Sequence, residues 1–147
     1  MANLVALADL CNAKICIGEG DLAFLSDDTL SLATYFGDHS PEFAAVPLSD
    51  GTMIGEFIVI HTPGHTRGSI CLYREEDGAL ITGDTLFPRG SFGRTDLPTG
   101  NHADLVTSIN RLAELRIESL WCGHGIPVSS GAMHDVLLSQ AKVLKYG

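Results

Sequence analysis

Apolar residues recur at Leu4, Leu7, Ala8 and Cys11, the i, i+3, i+4, i+7 spacing that predicts an amphipathic helix near the first residue. Lys14 to Ile17 reads as a short strand. Asp21 and Ser26 each precede apolar residues as helix caps do, so one broken helix or two short ones should end near Gly37. Residues 38 to 49 show no periodicity and read as a loop. Asp50-Gly51 is a hairpin-type turn, followed by a strand from Glu56 to Ile60. Ser69 to Arg74 and Ala79 to Thr82 are two further strands, joined across a second hairpin turn at Asp77-Gly78. From Asp84 to Gly100 the chain is rich in Gly, Pro, Arg and Thr and reads as one long loop, a length that in compact domains usually serves function. Leu105, Ile109 and Leu112 mark a helix, and Ser119 to Cys122 a strand. Met133, Val136 or Leu137, Ala141 and Leu144 mark a last helix, with Ser129 or Ser130 as its cap. Two hairpins among mixed strands and helices predict a sheet that is not purely parallel, hence an α/β (α+β) fold.

Composition narrows this reading. The 147 residues make one domain by size, spanning 1–147. A formal charge of −9 argues against a nucleic-acid partner, which needs a basic face, and the nine Lys and Arg are scattered. No apolar run reaches the length of a membrane span. The first residues lack a charged n-region followed by an apolar h-region, so no signal peptide is expected. Cys11, Cys16, Cys71 and Cys122 show no CxxC spacing, and three sit in apolar runs. They read as buried thiols in a reducing, cytoplasmic setting.

Chemistry concentrates at three strand ends. In "IVIHTPGHTRGSICLY", His65 follows the strand ending at Ile60. In "ITGDT", Asp84 follows the strand Ala79 to Thr82, and in "WCGHG", His124 follows the strand Ser119 to Cys122. Each has glycine beside it, which lets backbone turn sharply at a strand end. Taken singly, each residue reads as a polar cap or an Asx turn. If the strands share one sheet, their ends meet on one rim, and two imidazoles with a carboxylate there suit zinc or iron. His39, His102 and His134 read as ordinary surface or packing histidines. His61 is nearest the rim, either as turn packing or as a brace for a ligand.

"HTPGHTRGS", "LITGDTLF", "SFGRTDLP" and "CGHG" together resemble the metallo-β-lactamase fold in its glyoxalase II-like branch, which holds thioester hydrolases and persulfide dioxygenases. The resemblance covers nearly the whole chain in order. It implies an αββα sandwich with the metals at one edge, two zinc ions in the complete family, with iron or manganese as alternatives. By position, His65 resembles a ligand of the first metal, Asp84 the carboxylate that bridges both and serves catalysis, and His124 a ligand of the second. His61, Thr66 and Thr85 are candidates to brace these ligands by hydrogen bond. Arg67, Arg89 and Arg94 are candidates to hold an anionic substrate tail. Arg94 and Asp96 of "GRTDLP" are expected to pair and to stabilise their loop.

The branch takes its other ligands from a His-x-His-x-Asp-His motif, and this sequence has none. The expectation is a partial domain lacking the motif and the first strands of its first sheet. It would bind metal weakly and associate with itself or with a complementing N-terminal segment. About twenty residues follow His124-Gly125, room for one helix, so glutathione specificity is not expected. Three functions stay open: a metal-dependent hydrolase of small thioesters, a mononuclear iron persulfide dioxygenase, and a non-catalytic binding module that kept the fold.

Overall fold

The computed structural model describes residues 2–37, 39 and 43–145. They form two compact units, one up to Leu48 and one from Ser49. The first unit opens with helix α1 (Ala2–Cys11) and strand β1 (Cys16–Gly18). Two 3-10 segments follow, Glu19–Leu25 and Thr34–Phe36, where the caps at Asp21 and Ser26 had predicted α-helix. The second ends on Gly37 in the left-handed conformation, as a helix stop there requires. Strand β2 (Val46–Leu48) pairs parallel with β1 from Cys16↔Val46 to Gly18↔Leu48, so the end of the supposed loop 38–49 is strand. Pro47 had masked it, but proline is tolerated in a short strand at a sheet edge. The rest of that expected loop lies partly outside the described residues.

The second unit is built on one five-stranded sheet of order β3-β4-β5-β6-β9, from β3 (Met53–Ile54), β4 (Phe57–His61), β5 (Ile70–Arg74), β6 (Ala79–Gly83) and β9 (Ser119–Cys122). Neighbours are antiparallel except β6 and β9, which run parallel, so the sheet is mixed as expected. Asp50-Gly51 turns the chain within Ser49–Thr52, but the hairpin between β3 and β4 closes at Gly55-Glu56 instead. Across the sheet Ile58, Tyr73, Leu80 and Leu120 stand in one row. Helices α2 (His102–Leu112) and α3 (Met133–Val143) bury Leu105, Ile109, Leu112, Val136 and Val143 in the same core as Ile60, Cys71, Tyr73, Leu80 and Leu120. Asn101 caps α2, its side-chain oxygen accepting the Asp104 amide at 3.2 Å. The residue at the cap of α3 is Ala132 rather than Ser129 or Ser130, and no side chain closes that end. The Gly131 amide is met instead by the Glu118 carboxylate at 3.1 Å.

The supposed loop Asp84 to Gly100 holds a small hairpin, β7 (Leu86–Phe87) and β8 (Ser91–Phe92), joined by a 3-10 turn at Pro88–Gly90. Its strands are two residues each, too short for period-2 patterning to register. Of the four cysteines only Cys71 is buried, and burial pushes its thiol up to about 11. Cys122 is half-buried, whereas Cys11 and Cys16 are exposed, because the apolar runs around them belong to elements with open faces. Among the described residues, no helix is long and apolar enough to cross a membrane.

Candidate metal centre

His65 sits in the turn between β4 and β5, and that turn is fixed from two sides. Asn101 donates its amide to the Gly64 carbonyl at 2.8 Å, and Ser108 Oγ donates to the Pro63 carbonyl at 2.7 Å, so the cap and inner face of α2 hold it. His65 Nδ1 lies 2.8 Å from the Arg94 carbonyl. A carbonyl only accepts, so Nδ1 carries the proton and Nε2 keeps its lone pair. That Nε2 faces Asp84 Oδ2 at 3.7 Å.

Asp84 follows β6 through an irregularity: Ile81 pairs with Trp121 but Gly83 with Cys122, so two residues advance against one. Such a bulge re-aims the next side chain at a strand end. Two glycines make room for the result. A Cβ on Gly123 would overlap Asp84 Oδ1, and one on Gly93 would overlap the Asp84 carbonyl and crowd His65 Nδ1 at 3.1 Å. These close approaches, not turn chemistry alone, explain glycine beside the carboxylate. The Gly123 amide also donates to the Gly83 carbonyl at 2.7 Å, locking the ends of β6 and β9 together.

His124 extends from that lock. Its Nε2 lies 3.5 Å from the same Asp84 Oδ2, and its ring centroid is 6.1 Å from that of Phe87. Its side chain is 79% exposed against 20% for His65, so the rim is sheltered on one side and open on the other.

Asp84 thus stands between two imidazoles, each offering Nε2 toward one carboxylate oxygen. Donors sharing a zinc, each roughly 2.0–2.2 Å from it, lie about 3–4 Å apart, so both pairs have the right spacing. The chemistry of the set and the Nδ1 proton on His65 fit a borderline divalent ion. Among the described residues, however, no three His, Cys, Asp or Glu side chains close on a single ion position. An ion between Asp84 and either histidine would have two protein donors, where catalytic zinc usually takes three.

The remaining sequence candidates fall into place around this rim. Thr85 is buried and its hydroxyl pairs with Thr62 at 3.0 Å, anchoring the start of the hairpin loop under Asp84. Thr66 pairs with Ser69 at 2.8 Å within the His65 turn. His61 Nε2 donates to the Arg67 carbonyl at 2.8 Å, bracing the turn across its base rather than touching a ligand. Arg67 is exposed and its amide is held by Thr99 Oγ1 at 3.3 Å. Arg94 grips Asp96 through both guanidinium arms, Nε at 2.6 Å, and the pair holds the Asp96 carboxyl down to about 2. Its guanidinium is thereby engaged, and its contribution to the rim is the backbone carbonyl on His65, which sequence reasoning had not found. His39 pairs with Asp28 at 2.6 Å on the surface, and His102 donates to the Val143 carbonyl at 3.0 Å as ordinary packing.

A family model for the metallo-β-lactamase superfamily matches residues 1–124. The chain belongs to that superfamily. It is 41% identical over 109 residues to a probable metallo-hydrolase of Methanocaldococcus jannaschii, covering 67% of this chain and 50% of the relative. Over 69 residues it is 45% identical to a hydroxyacylglutathione hydrolase of Thermosynechococcus vestitus, covering 46% of this chain and 26% of that one. The chain spans about half the length of such relatives, 59% for an Aquifex aeolicus protein 41% identical over 125 residues. Among solved structures, a protein in a di-iron-bound form superposes with a TM-score of 0.74 at 28% identity, over 94% of this chain and 66% of its own. The mixed sheet and flanking helices are therefore a metallo-β-lactamase fold, in a superfamily whose members hold metal ions.

Proposed function

We propose that this metallo-β-lactamase-type domain serves a metal-dependent hydrolase of small thioesters, with His65, Asp84 and His124 as the part of its metal site carried here. The observation that supports this most is the shared Asp84 Oδ2, facing His65 Nε2 at 3.7 Å and His124 Nε2 at 3.5 Å. A bound zinc, or iron or manganese in its place, would supply Lewis acidity and a water acidified toward neutral pH. The protein's own part is positional. The Arg94 carbonyl fixes the His65 tautomer, Gly93 and Gly123 leave space for the carboxylate, and Asp84 would orient the attacking water. A thiol leaving group departs as thiolate, with an ordinary pKa near 8.5, so the rim needs no general acid. The similarity to hydroxyacylglutathione hydrolases supports the same substrate class. Four free thiols accord with a cytoplasmic setting.

The donors flank Asp84 instead of converging on one ion, which favours this reading over a mononuclear iron dioxygenase. With two donors per ion, zinc affinity of the 147-residue chain should be micromolar or weaker. A segment carrying the His-x-His-x-Asp-His pattern, in the same polypeptide or a separate one, would supply the other donors and tighten it. Zinc titration calorimetry and cleavage of an S-acyl thiol, before and after adding that segment, test the reading. Metal-dependent turnover abolished by Asp84→Asn is expected. Persulfide-dependent oxygen consumption with iron would replace it by the dioxygenase, and no metal binding in either form would leave a binding module.

A further inference from the structure

Beside His124 the second unit opens into a cleft of about 690 Å³, within the size range of small-molecule sites. Phe87, Pro88, Ile126, Pro127 and Val128 give it apolar walls. It carries one guanidinium, that of Arg89, which makes no hydrogen bond or ion pair among the described residues. Arg89 is held there at a conformational cost. Its φ of 63° and ψ of 26° are left-handed, a region unfavourable to any residue but glycine. The turn is nevertheless clamped from α3 on both sides, the Arg89 amide donating to Asp135 Oδ1 at 2.6 Å and Lys142 Nζ donating to the Arg89 carbonyl at 2.8 Å. Structure that is paid for elsewhere to hold a strained residue at a cleft is characteristic of ligand clamps.

We infer that Arg89 sets substrate choice by receiving a carboxylate at the end of an apolar arm laid in this cleft, while the reacting carbonyl sits at the Asp84 rim. The inference rests on the hydrolase reading above and narrows its substrate to thioesters whose acyl chain ends in a carboxylate. A planar guanidinium matches a carboxylate with two parallel hydrogen bonds. Asp135 also lines the cleft, with one oxygen already committed to the Arg89 amide. Its charge opposes a dianion more than a monoanion, so a carboxylate is selected over a phosphate. Arg94 is tied to Asp96, which leaves Arg89 to do this.

Two thioesters of N-acetylcysteamine, glutaryl and pentanoyl, differ only in a terminal carboxylate against a methyl and serve as probes. Binding to the metal-free chain is followed by amide chemical shifts. The glutaryl ester should bind about tenfold more tightly, the low end for a charged hydrogen bond because the cleft is open. It should shift residues around Arg89 and Ile126. In Arg89→Gly the preference should vanish while the melting temperature holds or rises, since glycine adopts this conformation freely. Equal binding of the two esters, no binding of either, or a preference that survives Arg89→Gly overturns the inference. Arg89-dependent binding without metal-dependent cleavage, even with the segment carrying the His-x-His-x-Asp-His pattern added, would instead retain the cleft and refute the hydrolase. Cleavage of both esters indifferent to Arg89→Gly would do the reverse.

Discussion

Helices α1 and α2 were legible from the same apolar spacing, yet they end in opposite states. On α2, Leu105, Ile109 and Leu112 are all 0% exposed, whereas on α1 Leu4, Leu7 and Leu10 are 43%, 57% and 84% exposed. Periodicity tells which stripe of a helix can be buried, and says nothing about what will cover it. For α2 the cover is Ile60, Cys71, Tyr73 and Leu80 of the sheet together with α3, all in one core. The site residues belong to the region whose core is closed, and their supports, Ser108 on Pro63 and Asn101 on Gly64, come from α2 itself.

The contrast can be broken by mutation. Leu105→Ala should cost about 2–5 kcal/mol in urea denaturation, the range for emptying a tightly packed leucine site. The zinc-induced gain comes next: at a hundredfold excess over Kd, zinc adds about 2.7 kcal/mol to stability. His65→Ala should remove most of that rise in thermal melts, while Leu7→Ala leaves it intact. If Leu7→Ala also abolishes it, the site depends on α1 as much as on α2. A smaller effect is expected at Asp50, whose carboxylate takes the Arg111 guanidinium of α2 at 2.8 Å and the His61 amide at 2.7 Å. The hydrogen bond from Arg111 holds its pKa below the ordinary 3.8. Its stabilisation is therefore complete above pH 3.8 and is lost as pH falls through the lowered value. For so exposed a pair, Asp50→Asn should cost no more than about 1 kcal/mol at pH 7, and the difference from wild type should close in acid. Leu10→Lys should be the mildest, within about 0.5 kcal/mol, because an exposed position loses little and lysine suits helices. A cost like that of Leu105→Ala would mean that the α1 face is covered after all.

What the sequence made visible follows the same division. Strands β4, β5, β6 and β9 and helices α1, α2 and α3 were legible because each carries enough residues for a period to register. The pairs β7 and β8, two residues each, did not, and Pro47 hid β2. Asp21 and Ser26 read as helix caps, but Asp21 lies inside the 3-10 segment Glu19–Leu25 and Ser26 closes its far end. His65, Asp84 and His124 could be placed on one rim from their position after three strands. The Arg94 carbonyl on His65 could not, since a backbone oxygen leaves no mark in a sequence. Nor could the close approach of Gly93 to Asp84, which depends on a hairpin the pattern did not reveal.

The parallel pairing of β6 with β9 also sets a timetable. Ala79 meets Ser119 and Leu80 meets Leu120 only after the chain from 84 to 118, with the hairpin and all of α2, has been drawn into a closed loop. Closing it is an entropic cost that local contacts do not repay, and pairings of this range form late and slowly. Asp84 and His124 are brought together by that same event, through the Gly123 amide on Gly83. A signal that needs both side chains should therefore lag behind the appearance of helix during refolding. The rim would then act as a clock for the final docking of the edge strand.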